Sequence, residues 1–134
     1  MESIIIVILS LKQKILLVDD SEIIRKRLMT ILSDLPFVEV AGEATNGNEA
    51  IEKVVLLMPD IILLDIMMPK INGFDVLKQL KEDQDTSNIP VIILSALSDE
   101  DNKRTGIGLG AAAFIVKSEI LPIDIITKIR SVIS

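Results

Sequence analysis

The chain of 134 residues has no cysteine, no histidine, no tryptophan and no tyrosine. Without cysteine, disulfides, thiolate catalysis and cysteine metal sites are excluded. Without histidine, a Ser-His-Asp triad and histidine-ligated zinc are excluded. Aromatic residues are 2% of the chain, all of them phenylalanine, which leaves little to stack on a nucleobase or a flavin. Positive charge is in deficit: the net charge is −6, so the chain repels a phosphate backbone and direct nucleic-acid binding is not expected. Carboxylates, lysine, hydroxyls and hard metal ions remain as vehicles for chemistry.

Apolar runs of membrane length are lacking too. The run from Ile4 to Leu9, within MESIIIVILSLKQ, is too short to span a bilayer. It carries Glu2 and no basic residues ahead of it, so it makes a poor signal peptide. Residues 1–13 read as an apolar extension: an additional strand, a start-site artefact, or a contact surface for a second copy. Left in water, such a run is an aggregation hazard.

What is present is a regular alternation. The chain is 49% hydrophobic, enough for one core, and residues 14–134 read as one domain. KILLV (14–18), VEVAGEA (38–44), IILL (61–64), VIIL (91–94) and AFIV (113–116) read as strands. Between them run helical stripes. The first is Ile23, Ile24, Leu28, Ile31 and Leu32 after an N-cap at Ser21. The second is Ala50, Ile51, Val54, Val55 and Met58 after a capping box of Asn46 and Glu49, ended by Pro59. Phe74, Val76, Leu77 and Leu80 follow Gly73, which is expected to take a positive φ. A polar helix runs from Asp99 to about Leu109, weakened by Gly106 and Gly108. Pro122 opens a last helix with Ile123, Ile126, Ile129 and Ile133 facing inward. Strands and helices in alternation predict an α/β fold, a five-stranded parallel sheet with helices on both faces.

In such a sheet, ligands bind beyond the carboxyl ends of the strands. The first strand ends in Asp19-Asp20, the third in Asp65, the fourth in Ser95 and the fifth in Lys117. Carboxylates about 4 Å apart repel by roughly 4 kcal/mol per pair at an effective dielectric near 20. Such a cluster raises its pKa values or takes up a cation, and oxygen ligands alone favour Mg²⁺ or Mn²⁺. Lys117 can pair with Asp65 or with a phosphoryl oxygen, and Ser95 can donate to the same oxygens.

The segments LLVDDS, LLDIMMPKINGFD, VIILSA and FIVK, in this order and spacing, closely resemble the receiver domain of bacterial two-component response regulators. The resemblance covers residues 14–134 and implies a flavodoxin-like sheet of strand order 2-1-3-4-5. It implies that Asp65 is the phosphoacceptor, and that Asp19, Asp20, Asp65 and the backbone carbonyl of Met67 hold Mg²⁺. It further implies that Lys117 binds a phosphoryl oxygen, and that Ser95 moves toward the phosphate while Phe114 turns inward. The donor would be a sensor histidine kinase, a phosphotransfer protein or a small acyl phosphate. The receiver of the signal would be an output domain or target protein on the 99–133 face, with a homodimer left open. A cytoplasmic domain that catalyses no reaction beyond its own phosphorylation and dephosphorylation is implied. The family usually has proline after the lysine; here it is Ser118, so a trans bond, or a strained cis one, is expected. Met67 and Leu97 should overhang the pocket and slow hydrolysis. Two other readings stay open: a receiver-like module that never takes phosphate, and a Mg²⁺-dependent phosphatase with an aspartyl nucleophile. The phosphatase lacks its second acid, because position 67 is methionine. An FMN carrier fits worse, since the first strand ends in acids. Whether the chain is a whole regulator or part of a longer one is also open.

Overall fold

The computed structural model describes residues 4, 12–68, 71–96, 100–119 and 121–133. The expected N-terminal strand, Asp99 and the overhanging Leu97 lie outside them. Five strands, β1 (Gln13–Val18), β2 (Val38–Ala44), β3 (Ile61–Asp65), β4 (Val91–Ser95) and β5 (Ala113–Val116), alternate with five helices. The helices are α1 (Glu22–Ser33), α2 (Gly47–Leu57), α3 (Gly73–Glu82), α4 (Glu100–Gly108) and α5 (Pro122–Ile133), and a 3₁₀ turn, Lys117–Glu119, follows β5. The strands pair in parallel in the order β2-β1-β3-β4-β5.

The uninterrupted apolar runs reflect two cores, one on each face. Successive side chains of a strand point to opposite sides. Leu16, Val18, Ile62, Leu64 and Ile93 therefore meet Ala50 and Val54 of α2 and Val76, Leu77 and Leu80 of α3. Ile15, Leu17, Ile61, Leu63, Ile92 and Leu94 meet Leu28 and Leu32 of α1 and Ile125 and Ile129 of α5 on the other face. Helix starts follow the sequence signals. Ser21 Oγ accepts the Ile24 N–H at 3.3 Å, and Asn46 Oδ1 accepts the Glu49 N–H at 2.9 Å. Met58 closes α2 in the left-handed region, at φ 44°, immediately before Pro59.

Expectations at five residues, Ile23, Ile123, Val55, Met58 and Gly73, are corrected. Ile23 is 79% exposed and Ile123 61% exposed; the buried positions are Leu28 and Leu32 in α1, and Ile125 and Ile129 in α5. Val55 and Met58 are exposed on α2, where Ala50 and Val54 carry the packing. Gly73 does not use a positive φ. Among the described glycines only Gly110 has one. Gly73 is needed because a Cβ there would lie 2.4 Å from both the Asp65 carbonyl oxygen and the Ile66 Cα. Gly106 likewise has a packing reason: a Cβ there would lie 2.4 Å from Ile93 Cδ1. It is the buried residue of α4, which otherwise presents polar or exposed side chains. No cis peptide occurs among the described residues, so Lys117–Ser118 is trans.

Candidate functional site

Register brings the strand ends together. Val18 lies opposite Leu64, so Asp19 and Asp65 follow side by side on β1 and β3. Asp65 lies opposite Leu94, and Ser95 opposite Val116, so Ser95 and Lys117 come next across β4 and β5. Asp19, Asp65 and Ser95 are fully buried. Each of the two carboxylates is held the same way. Asp19 Oδ1 accepts the Ser21 N–H at 2.9 Å, and Asp65 Oδ1 accepts the Met67 N–H at 2.9 Å. Their other oxygens converge on one ammonium: Lys117 Nζ is 2.7 Å from Asp19 Oδ2 and 3.0 Å from Asp65 Oδ2.

One cation among three acids leaves the cluster short of positive charge. Burial pushes the Asp65 carboxyl up from 3.8 to about 6; the Asp19 charge adds to this, while the Met67 N–H and Lys117 oppose it. Burial works against the charge on Lys117, but the hydrogen bonds and charges of Asp19 and Asp65 outweigh it and raise its pKa above the ordinary lysine value. Asp19 Oδ2 and Asp65 Oδ2 are buried and, beyond the Lys117 ammonium they share, have no partner among the described residues. Asp20, exposed, completes a trio whose oxygens lie within 4.8 Å of one another. Three hard oxygen donors with two buried, under-satisfied lone-pair sites fit a small divalent cation.

Phe114 stands two residues before the end of β5, opposite Ile93 of β4 and part-buried against the core. The Met67 side chain is exposed, and its backbone N–H is the group bonded to Asp65. The sequence reading passed over Arg25 and Glu43. Arg25 Nη1 donates to the Asp19 backbone carbonyl at 2.8 Å, and Arg25 Nε to Glu43 Oε1 at 3.0 Å. A cationic residue in the first half of α1, where the helix dipole disfavours it, was the available signal.

The response regulator receiver domain profile matches residues 15–130. A probable transcriptional regulator ycf27 of Guillardia theta is 40% identical over 125 residues, 93% of this chain and 47% of that protein. A protein-glutamate methylesterase/protein-glutamine glutaminase of Pyrococcus horikoshii is 42% identical over 123 residues, 92% of this chain and 30% of that protein. The chain thus spans about half, or less, of these relatives' length. The response regulator domain of Thermotoga maritima CheB superposes with a TM-score of 0.81 at 34% identity, over 90% of this chain and 96% of that one. A chain of the CheX–CheY–BeF₃–Mg²⁺ complex of Borrelia burgdorferi superposes with a TM-score of 0.84 at 31% identity, over 91% and 90%. Receiver domains bind Mg²⁺ at an acidic aspartate cluster, and the trio of Asp19, Asp20 and Asp65 is such a cluster. With the fold, the buried acids and the profile in agreement, the chain belongs to the response regulator receiver domain family, the phosphoacceptor signalling domains of two-component systems.

Proposed function

We propose that Asp65 is the phosphoacceptor, with Asp19, Asp20, Asp65 and the Met67 backbone carbonyl holding Mg²⁺, or Mn²⁺ in its place. The observation that carries this reading is the meeting of two buried carboxylates from different strands at one amine. A carboxylate oxygen of Asp65 forms a bond to phosphorus while the bond from phosphorus to the donor's nitrogen or acyl oxygen breaks; the donor leaves with that electron pair. The Met67 N–H fixes the carboxylate plane, and burial keeps water from competing. Lys117 turns from the carboxylate to a phosphoryl oxygen, where its charge is worth most because the site is dry. The bound cation supplies neutralisation of the charge gathered between acid and phosphoryl group. The donor is a sensor histidine kinase or phosphotransfer protein, in the cytoplasm. The signal leaves through the 99–133 face to an output domain or target, or to a second copy.

Incubation of the full chain with acetyl phosphate and Mg²⁺ is expected to add one phosphoryl group, read by intact mass and mapped to the peptide containing Asp65. No mass gain would leave the phosphate-free binding module as the reading. Turnover of a phosphomonoester in excess of protein would favour the phosphatase.

A switch is supported by the placement of buried Ser95 at the end of β4, the strand next to β3, with Phe114 on the adjacent β5 opposite Ile93. Ser95 moves toward the phosphoryl group, Phe114 fills the space behind it, and α4 shifts. The shift is cheap because Gly106 is the buried residue of that helix. Beryllofluoride with Mg²⁺ is expected to change amide exchange over residues 100–118 more than over β1 and β3. Unchanged exchange there would remove the switch.

A further inference from the structure

Asp19 is held from both sides of its backbone. Its N–H donates to the Ala44 carbonyl at 3.0 Å, at the end of β2. Its carbonyl, which belongs to the peptide plane leading into Asp20, accepts Arg25 Nη1 at 2.8 Å. Arg25 is only 13% exposed at its side chain and is braced by Glu43, whose Oε1 accepts Arg25 Nε at 3.0 Å. Glu43 is anchored in turn: its backbone carbonyl accepts Lys53 Nζ, and Lys53 pairs with Glu49 at 3.0 Å. A planar guanidinium with one edge on a carboxylate and another on a carbonyl has a fixed direction, which an ammonium on a flexible stem lacks. The carbonyl it grips sets the plane from which the exposed Asp20 carboxylate is aimed.

We propose that Arg25 is a positioning residue for the divalent cation: braced on Glu43, it fixes the Asp19–Asp20 peptide so that both carboxylates face the pocket shared with Asp65. The inference rests on the metal reading given above. A plain structural role, tying α1 to β2, predicts a loss of stability and nothing more at the site. A plain charge effect predicts the opposite sign from ours. A guanidinium beside a cation site repels the cation, so its removal alone should tighten binding. Positioning predicts weaker binding on losing a positive charge, and the sign separates the accounts.

The experiment titrates Mn²⁺ into the full chain and follows free Mn²⁺ by electron paramagnetic resonance, with far-ultraviolet circular dichroism to confirm folding. Arg25→Met is expected to weaken Mn²⁺ binding about tenfold, the scale on which groups that orient metal ligands act. Arg25→Lys keeps the charge but not the fork, and is expected to remain weaker than wild type. Arg25→Met affinity equal to or tighter than wild type overturns the proposal, as does full recovery in Arg25→Lys. If Arg25→Met does not fold, Glu43→Asp, which keeps the charge but shortens the brace at a half-exposed position, decides instead: an expected loss of about threefold from the slackened fork supports the role, and unchanged affinity overturns it. Wild-type protein that holds no Mn²⁺, or an Asp20→Asn variant with wild-type affinity, overturns the metal reading itself and Arg25's role with it. Tight wild-type binding with unchanged Arg25 and Glu43 variants overturns the positioning role alone.

Discussion

Asp65→Asn is expected to take no phosphoryl group from acetyl phosphate and, without added metal, to be more stable than wild type at pH 7 by about 2 kcal/mol. Both effects have one cause. A buried carboxylate beside Asp19 costs free energy in its ionised form, and that ionised form is the proposed nucleophile. The pH dependence follows from the direction of the shift. In the unfolded chain the carboxyl ionises near 3.8, and in the folded protein near 6. Between these values the folded state holds a proton that the unfolded state has lost. Stability contributed by the protonated acid is therefore full below about pH 4, falls as pH rises to about 6, and stays at its lower value above. Two pKa units correspond to about 3 kcal/mol, from which the burial of the amide in the variant subtracts. The slope should be absent in Asp65→Asn. Urea unfolding from pH 4 to 7, followed by far-ultraviolet circular dichroism because the chain has no tryptophan or tyrosine, measures both. Parallel pH slopes in the two proteins would show that Asp65 is not strained by its site. Saturating Mg²⁺ should narrow the gap at pH 7, because a ligand of the folded state stabilises the wild type and has lost one donor in the variant.

Much of this arrangement was legible before any coordinates, for reasons that differ by residue. The strands were readable because each is buried on both faces, so its apolar run is continuous and its end abrupt. Asp19, Asp65, Ser95 and Lys117 stood out because a polar residue directly after such a run must lie on one edge of a parallel sheet. Helix faces were read less well. In α5, isoleucine occupies 123, 125, 126, 129 and 133, so the pattern cannot fix the phase, and the side chain buried by the sheet is Ile125, not Ile123. The same ambiguity misplaced Ile23 beside Ile24, and Val55 beside Val54. Gly73 was identified as special, but a sequence does not separate a glycine needed for its φ from one needed because another backbone passes close by. Arg25 and Glu43 are 18 residues apart and meet only through the tertiary fold. Nothing local joins them.

The glycine distinction has a measurable consequence in two alanine substitutions that intrinsic propensity ranks alike. Alanine is favoured over glycine inside a helix by about 1 kcal/mol. At Gly108, in α4, a Cβ meets nothing within 4 Å, so Gly108→Ala should raise stability by about 0.5 kcal/mol, reduced from the interior value because it is the last helical residue. At Gly73 the sign reverses. The added Cβ would lie 2.4 Å from the Asp65 carbonyl oxygen and from the Ile66 Cα, and backbone cannot rotate aside as a side chain does. Either α3 backs away, lifting Val76, Leu77 and Leu80 out of the core, or the turn after β3 moves. Overpacking of this kind costs about 3 kcal/mol, well above the propensity gain. The Gly73 N–H donates to the Ile66 carbonyl at 3.0 Å, so the displacement passes directly to the Asp65–Met67 turn that holds the proposed acceptor. Gly73→Ala should therefore lose both stability and phosphorylation rate, whereas Gly108→Ala should retain the rate. Midpoints of urea unfolding and labelling rates with acetyl phosphate, taken on the same preparations, test the pair. Equal shifts of the same sign would mean that the close approach of α3 to the end of β3 is not a constraint on either.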